Sequence, residues 1–163
     1  MTEASKMITW HDPMPTAKLA SELSGLEFLS GIVDGTIPQP PITAPLDFAL
    51  VEVAEGFAVF EGNPAAHHYN PIGTIHGGWF CTIIDSAASC AAHTLVKPGG
   101  GDTTLELKVN FVRAITLETG VVRCEGRVIH AGRSVVTSDA KILDKNGKLY
   151  GHGTATCMMF QPK

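Results

Sequence analysis

The sequence predicts an α+β domain in which a curved antiparallel β-sheet wraps one long central helix, with a helical arm in front. Two observations carry this. Residues 76–96 read as a helix whose apolar positions, among them Trp79, Phe80, Ile83, Ile84, Ala87, Ala88, Ala91, Ala92 and Leu95, point in nearly every direction around the axis. A helix apolar all round is enclosed rather than laid on a surface. The segments that flank it are strand-like and separated by turn residues: a hairpin before it and a meander after it.

In chain order, residues 1–45 form the arm and a proline-rich linker, and residues 46–163 form the main domain. Pro13 and Pro15 open an amphipathic stretch with Leu19, Leu23, Leu26, Phe28, Leu29 and Ile32 as its apolar positions. Ser24 with Glu27 three residues on has the form of a capping box. Ile37-Pro38-Gln39-Pro40-Pro41 stops any helix and runs extended. Phe48–Glu55 and Phe57–Gly62 flank a Glu-Gly turn as a hairpin, and 63–75 read as a loop. Thr103–Ala114 alternates, with Leu105, Leu107, Val109 and Phe111 on one face and Thr104, Glu106, Lys108 and Asn110 on the other. Strands over 120–130, 134–143 and 149–160 follow, joined by turns at Ala131-Gly132 and Asp144-Lys145-Asn146-Gly147.

A chain of 163 residues suits one domain with a sizeable core, and 44% hydrophobic against 17% charged residues is a globular composition. The net charge of -4 argues against a nucleic-acid binder. Cys81, Cys90, Cys124 and Cys157 lack C-x-x-C spacing and read as reduced core thiols of a cytoplasmic protein. The longest stretch free of Asp, Glu, Lys and Arg, 62–84, contains prolines, histidines and glycines, so no membrane span is expected.

Two features of the long helix carry chemistry. His76-Gly77-Gly78 begins it, where N–H groups lack partners and the helix dipole is positive; glycine lets a ligand approach that bare backbone. Such a donor can stabilise the oxyanion of a carbonyl under attack, although a Gly-Gly pair by itself reads first as a tight loop-to-helix entry. Asp85 sits mid-helix, where a carboxylate is costly unless satisfied. It reads either as a structural Asp bonded to Ser86 or Ser89, or as a catalytic carboxylate facing a cavity. Gly77 and Asp85 lie eight residues apart, about 12 Å along one helix axis. If both act on one carbonyl, they come from different chains, so a homodimer with its site at the interface is expected.

The small residues Ala87, Ala88, Ser89, Ala91 and Ala92 allow a sheet to approach and curl around this helix, and that architecture is the hotdog fold. Asn70-Pro71-Ile72-Gly73-Thr74-Ile75-His76-Gly77-Gly78, followed by Asp85-Ser86-Ala87, resembles the signature of the PaaI-like hotdog thioesterases. The likeness extends to Ser30-Gly31-Ile32, Pro40-Pro41-Ile42, Val109-Asn110-Phe111-Val112-Arg113 and Gly132-Arg133-Ser134, covering about residues 22–160. It implies an acyl-CoA thioesterase, with Asp85 as general base or nucleophile and the Gly77 N–H as oxyanion donor. It further implies that Asn70 helps place water or thioester, that His76 holds the loop, and that Gly78 lies beside the substrate. Thr104 or Ser89 would supply a hydroxyl near the water, and Gly132, Arg133 and Ser134 would meet the nucleotide of coenzyme A. An arginine on a turn suits a phosphate, and it is equally an ordinary solvated hairpin charge.

No cofactor and no metal are expected. His67 and His68 are adjacent, and neighbours on an extended segment point to opposite sides, with no acidic partner in evident reach. The absence of a G-x-S-x-G elbow argues against a serine hydrolase. A homodimer, and a homotetramer of two dimers, is the expected assembly. A hydroxyacyl-thioester dehydratase using His76, and an acyl-CoA-binding module without turnover, are the alternatives.

Overall fold

The computed structural model describes residues 3–160. Three helices precede the sheet: α1 (Pro13–Glu22), α2 (Gly25–Val33) and the short α3 (Thr43–Leu46). Asp12 caps α1 by accepting the Met14 N–H, with Pro13 in the first turn, where its missing N–H costs nothing. The expected single helical stretch is two helices because Ser24 starts afresh: its hydroxyl accepts the Glu27 N–H while the Glu27 carboxylate accepts the Ser24 N–H.

The strands are β1 (Phe48–Ala54), β2 (Phe57–Gly62), β3 (Gly101–Phe111), β4 (Val122–Ala131), β5 (Val135–Asp144) and β6 (Leu149–Phe160). They form one antiparallel sheet in the order β1-β2-β4-β5-β6-β3. The hairpin and the meander therefore join through β2 and β4, and β1 and β3 are the edges. The linker guards the β1 edge: the Gln39 amide donates to the Leu50 carbonyl and accepts the Leu50 N–H, as a neighbouring strand would.

The long helix α4 (Gly77–His93) lies against β2, β3, β4, β5 and β6, so the hotdog architecture is present. Close approach depends on small residues. A Cβ on Gly126 of β4 would sit 2.0 Å from the Ala87 carbonyl oxygen. The Ser138 hydroxyl of β5 donates to the next carbonyl, Ala88, at 2.8 Å. Ile83, Ile84, Ala87, Ala88, Ala91 and Ala92 are wholly buried. Leu29, Ile32 and Ile37 of the arm and linker join the same core.

The helix is not enclosed all round. Gly78 is exposed, and Cys81, Thr82, Asp85, Ser86 and Ser89 are half-buried along the same side. The sheet covers only part of the circumference, and the small and polar residues occupy the remainder. No helix among the described residues is long and apolar enough to cross a membrane.

Candidate active site

The loop before α4 is built around Asn70. Its side-chain oxygen accepts the N–H groups of Ile72 and Thr74, and its amide donates to the Thr74 hydroxyl at 2.9 Å. Gly73 takes φ +86° to close the turn. Tyr69 and Ile75 then pair as a bridge, and the His76 N–H reaches the His68 carbonyl at 2.8 Å.

His76 is the N-cap of α4: its Nδ1 accepts the Gly78 N–H at 2.8 Å, which leaves the ring proton on Nε2. Gly77 is the first residue of the helix, so its N–H has no partner inside the helical ladder. A Cβ on Gly77 would meet the Phe111 ring at 3.2 Å, and Phe80 braces that ring edge-on. Asn70, Gly77, Phe80 and Phe111 thus share a cleft of about 330 Å³. Phe111 was expected only as a strand residue, because only the closed fold brings it over the glycine.

Asp85 is half-buried on the uncovered side of α4 and accepts the Thr104 hydroxyl at 3.0 Å. Ser86 and Ser89 instead donate to carbonyls within the helix, those of Thr82 and Ser86. The alternation expected for 103–114 places Thr104 opposite Leu107. A bulge between Thr104 and Glu106 reverses this, leaving Leu105 55% exposed and turning Thr104 inward with Leu107 and Val109. A second pair lies on the same helix–strand seam, His93 Nδ1 to the Asp102 carboxylate at 2.7 Å. Near these carboxylates Cys90 and Cys157 are held protonated: burial first, then Asp102 and Asp85, push Cys90 up to about 12, and burial first raises Cys157; away from them, burial also raises Cys124 of β4.

Gly132 and Arg133 stand at the β4–β5 turn, where the Gly132 N–H meets the Val135 carbonyl. Ser134 gives its backbone carbonyl to the Met159 N–H of β6. Gly132 and Arg133 border a cleft of about 350 Å³ with Lys97, just past the end of α4. Lys97 is a second cation in that cleft that the chain order hides, 36 residues before Arg133. In one chain, then, Gly77 and Arg133 lie toward opposite ends of the helix, with Asp85 between them.

The expectation that His67 and His68 point apart is corrected. Residues 66–68 turn as a 3-10 helix, which sets the two rings 4.0 Å apart, and Asp47 approaches both. Ligand atoms of the three lie within 4.8 Å of one another. The Lys6 ammonium already sits against Asp47. His68 Nδ1 accepts the Ala65 N–H, so Nε2 carries the proton and donates to the Pro45 carbonyl. A nitrogen so committed offers no lone pair to a metal, and burial holds His68 below its ordinary pKa as a neutral ring.

Residues 72–150 match the thioesterase superfamily. Two proteins of Saccharolobus solfataricus, "Putative esterase SSO1253" and "Putative esterase SSO2140", are 34% and 31% identical over 89 and 104 residues, 55% and 64% of this chain. The chain spans 57% of the first and 72% of the second. A Listeria monocytogenes 1,4-dihydroxy-2-naphthoyl-CoA hydrolase is 28% identical over 61% of this chain and 80% of its own. A solved Ralstonia eutropha structure described as a "putative thioesterase, phenylacetic acid degradation-related protein" has a TM-score of 0.71 at 25% identity, covering 80% of this chain and 98% of that one.

Proposed function

From the chain's membership of the thioesterase superfamily, we propose that it hydrolyses an acyl-CoA thioester at a site shared by two subunits. The observation that carries this is the pairing of Asp85 with Thr104 on the uncovered side of α4, eight residues from the unpartnered Gly77 N–H. A carboxylate held by a hydroxyl, about 12 Å along the axis from the oxyanion donor of its own helix, fits a carbonyl bound by the other subunit. One subunit supplies Asn70, His76, Gly77 and Gly78, and the other supplies Asp85, Thr104 and Ser89.

In the proposed reaction the thioester oxygen takes the Gly77 N–H, and Asn70 Nδ2 offers it the hydrogen not given to Thr74. Asp85 of the opposing chain removes a proton from water as water attacks the carbonyl carbon. The C–S bond then breaks and the thiolate of coenzyme A leaves, taking up a proton. Thr104 fixes the carboxylate, and His76 shapes the helix start. The carboxylate and backbone donors supply acid–base catalysis and oxyanion stabilisation, so the reading calls for no metal or redox cofactor. Arg133 and Lys97 suit the phosphates of coenzyme A.

Dimerisation is supported by the β3 edge, eleven residues long with Leu105, Phe111 and the following Val112 exposed, since such an edge invites a second chain. A tetramer of two such dimers, a cytoplasmic location, and the division into an arm (1–45) and a thioesterase domain (46–163, its last three residues outside those described) complete the proposal. A thiol-release assay over a panel of acyl-CoAs tests it: release with at least one is expected, and binding without release would favour a ligand-sensing module.

A further inference from the structure

A cleft of about 570 Å³ opens beside the start of α4, with His76, Gly78 and Thr82 along one side and Trp79, His68 and Ile8 among its walls. Ile8 comes from the segment before α1, which forms neither helix nor strand. Met7 is 89% exposed whereas Ile8, 37% exposed, borders the cleft. Lys6 latches the segment in place. Its ammonium donates to the Ala44 carbonyl at 3.2 Å, lies on the Asp47 carboxylate, and stands 3.3 Å from His67 Nε2. Asp47 itself holds φ +50°, a conformation uncommon outside glycine and more readily adopted by Asp than by most residues.

The chemistry of the cleft is selective. Its lining includes no carboxylate, ammonium or guanidinium; of its three imidazoles the buried one, His68, is neutral, and Trp79 has its indole N–H committed to the Leu46 carbonyl. A charged phosphate gains nothing there, whereas the Arg133–Lys97 cleft lies toward the far end of α4. Within the segment before α1, Ile8 borders the cleft and Lys6 stands against His67 of its wall.

We propose that this cleft receives an uncharged apolar acyl group, and that residues 6–8 form a latched strap that limits its size, with Ile8 the specificity-determining contact. The inference rests on the thioesterase reading, which places the thioester at the Gly77 end of the helix. The group at risk of adding or losing space is one aliphatic side chain, and a single methylene in an apolar pocket changes kcat/KM by about 10- to 200-fold.

The test uses the full chain with acetyl-, butyryl-, hexanoyl-, decanoyl- and succinyl-CoA. Ile8→Ala is expected to raise the decanoyl-to-butyryl ratio of kcat/KM about tenfold, and Lys6→Ala to move it in the same direction by releasing the latch. Ile8→Trp is expected to lower that ratio, Met7→Ala to leave it unchanged, and succinyl-CoA to be a poor substrate for all. Wild-type turnover with the same acyl ratio in the Ile8 and Lys6 variants would overturn the strap alone. Absence of wild-type turnover with every acyl-CoA would overturn the thioesterase reading and the strap together.

Discussion

At the scale of single residues, the proposed chemistry rests on Asp85 and its hydroxyl partner. Asp85→Asn keeps the shape and removes the base, so kcat is expected to fall by about 10² to 10⁴ with KM little changed in steady-state assays. Thr104→Val removes a hydrogen bond to a charged group and is expected to lower kcat about tenfold. Asp85 was legible in the sequence as an acidic residue in an apolar helix; its partner was legible only through the family resemblance. Ser86 and Ser89, closest in sequence, bond the helix backbone instead. His68 gives a pH prediction. Its side chain is 2% exposed and its pKa lies below the ordinary 6.5, so the folded state binds fewer protons than the unfolded chain near that pH. Its contribution is therefore present above about pH 6.5 and is lost as pH falls below it. In chemical denaturation, His68→Gln should flatten the loss of stability between about pH 6.5 and 5 relative to wild type.

At the scale of elements, packing explains which expectations failed. The long helix, the hairpin and the meander follow from periodicity and turn residues and lie within a few residues of their expected places, whereas one expected arm stretch is α1 and α2, and α3 falls at the end of the expected linker. Alternation in 103–114 predicts one unbroken register, and the bulge at Leu105 interrupts it. A bulge is set by the neighbouring strand and by what the inward face must meet, so a single strand's pattern does not reveal it. An extended segment would separate His67 and His68, and a one-turn 3-10 helix brings their rings together. The apolar residues of α4 are numerous enough to surround it, but its small polar residues share one side and leave that side uncovered. Close helix–sheet contact is testable at Gly126: Gly126→Ala forces a methyl toward the Ala87 carbonyl and should cost about 1–3 kcal/mol in denaturant unfolding. Ser24→Ala, which removes the cap of α2, should cost about 1 kcal/mol.

At the scale of the whole molecule, the proposed site is divided between two chains, each contributing one half. The uncovered side of α4 carries Gly78, Thr82, Asp85, Ser86 and Ser89, and the β3 edge beside it is unpaired within the chain. Helix geometry alone made the separation of Gly77 and Asp85 legible, because rise per residue is fixed. The walls of the clefts were not legible, since Lys97, Phe111 and Ile8 reach them only through the closed fold. The sharing of one site by two chains is tested most directly by mixing two inactive variants, Asp85→Ala and Gly77→Pro, the second removing the N–H at a helix position that accepts proline. After joint refolding at equal amounts, half of the dimers carry one intact site and one doubly damaged one, so activity should return to about a quarter of wild type. Activity that stays at the level of the separate variants, in a mixture shown to contain mixed dimers, would place both residues' action within one chain and contradict the account.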